Sequence, residues 1–200
     1  MEISRKLSEL CIKFIKTNTD KDEEELEKIK YGIEVILINI FKLAILFITA
    51  RIFGILGYTF IAFISFAILR TFASGIHASS SIKCIVTNFF VFFSIVYLSI
   101  YCSLSKSLVV AVFFISLIII ILYSPADTEY RPIISKKLRK TLKLKSIACI
   151  IVLAIVSLLI KKDVYRNLIA FATLEESIMT TPIIYFIFGK SYRNYEKIKL

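Results

Sequence analysis

Tryptophan is absent from this 200-residue chain, histidine occurs once, and there are three prolines and five glycines. So little Gly and Pro excludes collagen-like and Pro/Gly-rich disordered chains, and it leaves few of the turn signals a β-sandwich needs. The four cysteines, Cys11, Cys84, Cys102 and Cys149, lie far apart and form no Cys-x-x-Cys pair. With a single histidine they outline neither a zinc site nor a disulfide framework, so reduced thiols and no metal or organic cofactor are expected. Acidic residues are outnumbered, 15 Asp and Glu against 26 Lys and Arg, for a net charge of +11. Residues 1–30 are charged and hold no apolar stretch ending in a small-residue cleavage site, so no signal peptide is expected.

What the chain has in excess is apolar side chains. They make up 58% of it, with a mean hydropathy of +0.79, against about 45–50% in a soluble domain. At roughly 20 residues per span, that supplies five or six membrane helices and little else. Apolar runs occupy about 33–53, 55–69, 82–101, 108–123, 147–160 and 168–188. The second and fifth are only about 15 residues long, so each is expected to tilt, to re-enter, or to be extended by snorkelling lysines such as Lys143 and Lys145. Ahead of them, Ile3, Leu7, Leu10, Cys11, Phe14 and Ile15 recur at helical spacing between lysines and an arginine, the pattern of an interfacial amphipathic helix. Residues 20–30 read as a solvated helix or linker. The expected fold is all-α: a polytopic membrane helix bundle of about six segments plus the N-terminal interfacial helix. It forms one integral membrane domain, with residues 1–30 at the interface, 33–188 in the bundle and 189–200 as a tail.

Charge orients this set. With the N-terminus inside, twenty of the 26 basic residues fall on the inner side and five outside, with Lys42 inside the first span. Under the positive-inside rule this predicts a multi-pass cell-membrane protein with both termini cytoplasmic. It also absorbs most of the positive charge, so nucleic acid is not an expected partner. Glu34 and Lys42 in the first span, and Glu175 and Glu176 in the last, are ionisable groups in costly positions. They fit interhelical hydrogen bonds, a contact between two copies of the chain, or a transport path.

The densest chemistry lies in Arg70 to Cys84, RTFASGIHASSSIKC, which holds the sole histidine, His77, and a cysteine seven residues later. Histidine is the side chain suited to general base work near neutral pH, and a thiolate is a ready nucleophile. On one unbroken helix the two would stand about 10.5 Å apart along the axis, beyond hydrogen-bond reach. A working pair therefore requires a break, which Gly75 and the serine run supply. A new helix starting near Ser80 or Ser81 would put Cys84 in its first turn, where free N–H groups and the dipole favour negative charge. The competing reading is that a His and a Cys near a helix end are incidental.

A second cluster, SPADTEYRPI, follows the fourth span and holds Asp127 and Glu129. The basic run after it, Lys136, Lys137, Arg139, Lys140, Lys143 and Lys145, fits a topology determinant, a contact to anionic lipid, or a docking strip for an acidic peptide.

Together, Arg70, the SGIHA segment at Ser74–Ala78, Cys84, and a PAD…P segment from Pro125 to Pro132 two spans later resemble the accessory gene regulator B (AgrB-like) family of membrane cysteine peptidases in Gram-positive quorum sensing. Length, span order and the basic loop match as well, so the likeness covers essentially the whole chain. Many members carry Gly-Gly where this chain has Ser74-Gly75. The resemblance implies that the protein cuts the C-terminal part from a short amphipathic autoinducer propeptide and helps close the rest into a thiolactone or lactone ring. It implies Cys84 as nucleophile, His77 as base and proton donor, Gly75 at the turn, and Arg70 in the motif without a settled role. Asp127 is the first candidate to orient His77, with Glu129 and Glu34 behind it. Lys136, Lys137, Arg139 and Lys140 are candidates for the propeptide's acidic tail, and a homodimer is the expected assembly. A small transporter or peptide exporter is the alternative.

Overall fold

A computed structural model of the chain describes residues 2–19, 22–76, 81–129 and 132–197. They form eight helices: α1 (Glu2–Asn18), α2 (Glu23–Ile52), α3 (Leu56–Ala73), α4 (Ser81–Tyr101), α5 (Lys106–Tyr123), α6 (Lys136–Leu159), α7 (Asp163–Met179) and α8 (Pro182–Ile187). A 3-10 turn follows at Asn194–Glu196. Among the described residues there is no strand, and the all-α membrane architecture is observed. Five helices, α2 to α6, are long and apolar enough to cross a bilayer.

Met1–Ile52 and Phe53–Leu200 are separate compact units. In the first, α1 and α2 make a helical hairpin whose antiparallel sense shows in its ion pairs. Glu9 meets Lys30 at 3.5 Å and Lys16 meets Glu23 at 3.6 Å. Leu10 and Phe14 stay exposed along α1, the apolar stripe of an interfacial helix. The acidic stretch is the solvated start of α2, and the Asp22 carboxylate accepts from the Glu25 N–H at 2.7 Å to cap it.

In the second unit α7 is the axis, in contact with α3, α4, α5 and α6. Its composition explains the position. Ala170, Ala172, Thr173 and Ser177 are small and buried, which lets neighbouring backbones approach closely. Its hydroxyls turn back on their own helix, Thr173 donating to the Ile169 carbonyl and Ser177 to the Thr173 carbonyl, so these two hydroxyls are not stranded away from water. At one end of the bundle Arg166 donates to the Leu104 carbonyl and pairs with Asp163, both at 2.8 Å. Nearby, Asn167 donates to the Cys102 carbonyl at 2.8 Å.

Two segments differ in detail from the hydropathy reading. The fifth run begins earlier, at Lys136, because Ser135 caps the helix by accepting from the Leu138 N–H at 3.3 Å. The lysine-rich stretch is thus its first turns. The sixth run is not continuous: α7 ends at Met179 and α8 begins at Pro182. Proline has no N–H for the helical ladder and drives the residue before it out of the helical region. Thr181 is accordingly extended, at ψ 150°.

Candidate active site

The opposite end of the bundle collects the segments that carry the sequence motifs. α3 stops at Ala73, and Ser74 and Gly75 take positive φ values of 60° and 144°. The Ala126 N–H donates to the Ala73 carbonyl at 2.9 Å, and Ser74 and Ala126 pair as a single parallel β-bridge. The Arg70-to-Ile76 turn and the Pro125 loop, far apart in sequence, are therefore joined directly. Ile76, Ala126 and Tyr185 of α8 form a small buried cluster beneath them.

Arg70 braces this turn from within. Its Nη1 lies 2.9 Å from Glu176 Oε2, and its Nη2 donates to the Ile76 carbonyl. Glu176 is fully buried on α7 while Arg70 keeps a quarter of its side-chain exposure, and the guanidinium also stands 5.6 Å over the Phe66 ring. One side chain thus links α3, the turn and the bundle axis. Gly75 is required twice over. Its φ is one that L side chains rarely adopt, and a Cβ there would lie 3.0 Å from Arg70 Nη1 and 3.5 Å from the Met179 carbonyl.

Cys84 sits in the first turn of α4, half-buried and with a free thiol. The break between α3 and α4 that a His/Cys pair requires is present at Ser74–Ile76, and the described part of α4 begins at Ser81. His77 itself lies outside the described residues.

The second cluster holds the C-terminal segment. Asp127, only 4% exposed, accepts the Asn194 N–H on Oδ1 at 3.0 Å and the Tyr195 N–H on Oδ2 at 2.8 Å. Its carbonyl accepts from the Tyr185 hydroxyl at 2.7 Å. Glu129 accepts the Ser191 N–H at 3.2 Å. Of the basic run, Lys136, Lys137 and Lys140 are exposed, while the Arg139 guanidinium stacks on the Tyr195 ring, 3.3 Å from its centroid. No group of three or more metal-ligating side chains exists among the described residues.

Glu176 was legible only as a costly charge in an apolar segment. Its partner stands 106 positions away, and no local spacing joins the two. An arginine just past the end of one apolar run and a carboxylate inside another are the clue the sequence holds.

Helices sized for a bilayer packed around α7, with a thiol-bearing helix start after a braced turn, define a polytopic membrane protein. A family model described as accessory gene regulator B matches residues 8–180. An AgrB-like protein of Clostridium acetobutylicum is 35% identical over 193 residues, 96% of this chain and 92% of its own length. One of Listeria monocytogenes serotype 4a is 32% identical over 195 residues, 98% and 95% of the two chains. Accessory gene regulator protein B of Staphylococcus epidermidis is 32% identical over 185 residues, 92% and 94%. No solved structure matches significantly. The chain belongs to the accessory gene regulator B family, whose setting is quorum sensing.

Proposed function

We propose that this protein is a membrane cysteine endopeptidase that cuts the C-terminal part from a short amphipathic autoinducer propeptide and closes the remaining peptide into a thiolactone or lactone. The observation that carries the reading is Cys84 in the first turn of α4, following a turn that Arg70, Glu176 and Ala126 hold rigid on the approach to His77. Family membership supports it.

In this reading His77 takes the Cys84 thiol proton and Sγ attacks the scissile carbonyl carbon. The carbonyl π-electrons move onto oxygen and return as the C–N bond breaks. His77 gives its proton to the departing amine, leaving the peptide's N-terminal part on Cys84 as a thioester. The peptide's own thiol or hydroxyl then attacks that thioester. Its proton passes through His77 back to Cys84 sulfur, and the ring is released. Exchange of one thioester for another is nearly balanced apart from ring strain, so the step needs no nucleotide. Backbone N–H groups in the first turn of α4 are the donors this reading assigns to the developing negative charge. Arg70 and Gly75 act as positioning residues, and the exposed Lys136, Lys137 and Lys140 attract the propeptide's acidic tail. The reacting end faces the cytoplasm.

Co-expression with a cognate propeptide tests this. Cys84→Ala and His77→Ala are each expected to abolish processing with membrane levels unchanged, while Cys102→Ala processes normally. Retained cleavage in Cys84→Ala contradicts it.

A further inference from the structure

Beside the reacting end, the described residues enclose a polar cavity of about 160 Å³ that the proposed chemistry does not use. The Pro125–Asp127 loop forms its floor, Arg139 and Lys143 one turn apart on α6 form a wall, and Tyr192, Arg193 and Tyr195 close it from the C-terminal segment. Three cations thus face one carboxylate, and both oxygens of that carboxylate already accept backbone N–H groups. Arg193 is shared with Glu196 at 3.4 Å. Lys143 has no ion pair among the described residues, and Arg139 Nε is buried with no hydrogen-bond partner among them. Stacked on Tyr195, the Arg139 guanidinium can offer only its N–H edge, which suits the oxygens of an oxyanion.

We propose that this cavity binds the phosphate of an anionic phospholipid. Depth is one argument. Lys143 lies four residues before Ile147, where the apolar part of α6 begins, or about 6 Å along the axis. That equals the roughly 5–7 Å headgroup layer on each side of a 30 Å hydrocarbon core. Continuity is the second. Leu122 lines the cavity's edge and continues into Ile118 and Ile115, exposed at helical spacing along α5, a strip on which acyl chains lie once the headgroup is seated. Size is the third, since a cavity of 160 Å³ holds a phosphate group but not a helical peptide about 10 Å across. Basic pockets between membrane helices are recognised headgroup sites.

The test uses the full-length protein in nanodiscs of phosphatidylcholine doped with phosphatidylglycerol, with retained lipid counted by native mass spectrometry after transfer to detergent. One phosphatidylglycerol is expected to stay bound. Lys143→Gln, which leaves the Arg139–Tyr195 stack in place, is expected to lower retention about tenfold. Lys137→Gln and Lys140→Gln, exposed on the same helix, should leave it unchanged, and monodisperse elution certifies each variant's fold. Millimolar inorganic phosphate should compete poorly. Equal retention in Lys143→Gln overturns the proposal, as does complete displacement by free phosphate, which makes the ligand the free ion. Displacement by a soluble acidic peptide at micromolar concentration overturns it in favour of a peptide site.

Discussion

Arg70 is a charged side chain near the end of an apolar helix, and its surroundings explain why it is tolerable. A charge leaving water costs several kcal/mol unless paired and hydrogen-bonded, and Arg70 has both Glu176 and the Ile76 carbonyl. The reciprocal holds for fully buried Glu176. Removing either partner strands the other, a loss on the order of 3 kcal/mol, at the lower end because Arg70 keeps a quarter of its exposure. Glu176→Ala is therefore expected to cut thermal stability in detergent by about that amount. The double variant Arg70→Met with Glu176→Met should lose clearly less than the sum of the single changes. A strictly additive cycle contradicts the brace. Ser74 adds a local cost. With φ 60° and ψ −153° it occupies a region where glycine is at ease.

At the scale of elements, the ends of helices do more than their middles. The helices α2 to α6 were readable because each carries a long block of apolar residues, and the early start of α6 follows from a Ser135 cap. The α7–α8 break was the element hydropathy concealed, since both sides of Pro182 are apolar and only the missing N–H interrupts the ladder. Likewise the role of Asp127 depends on Asn194 and Tyr195, 67 and 68 positions away, which no pattern in the loop discloses. Two charge-assisted hydrogen bonds of about 1.5–3 kcal/mol each hold the C-terminal segment there. Asp127→Ala is expected to expose Arg193 and Lys197 to limited trypsin cleavage in detergent, whereas the wild type resists. Equal resistance in the two contradicts the anchoring role.

At the scale of the unit from Phe53 onward, apolar helices surround α7, and the segments that carry the sequence motifs gather at one end of it. That end joins the described residues around 70–76, 125–129 and 191–195, all on the inner side that the charge bias predicts. The candidate nucleophile and the need for a helix break beside it were also legible. Missing from the sequence was the scaffold between them, because Arg70–Glu176, Ala73–Ala126 and Asp127–Asn194 are all long-range contacts without local spacing. The decisive measurement is peptide-mapping mass spectrometry of the protein in proteoliposomes, quenched after brief exposure to its propeptide. The expected result is the propeptide's N-terminal part on Cys84 through a hydroxylamine-labile thioester, absent from Cys84→Ser at early times. Processing with no adduct, or with the adduct on Cys11, Cys102 or Cys149, would contradict it.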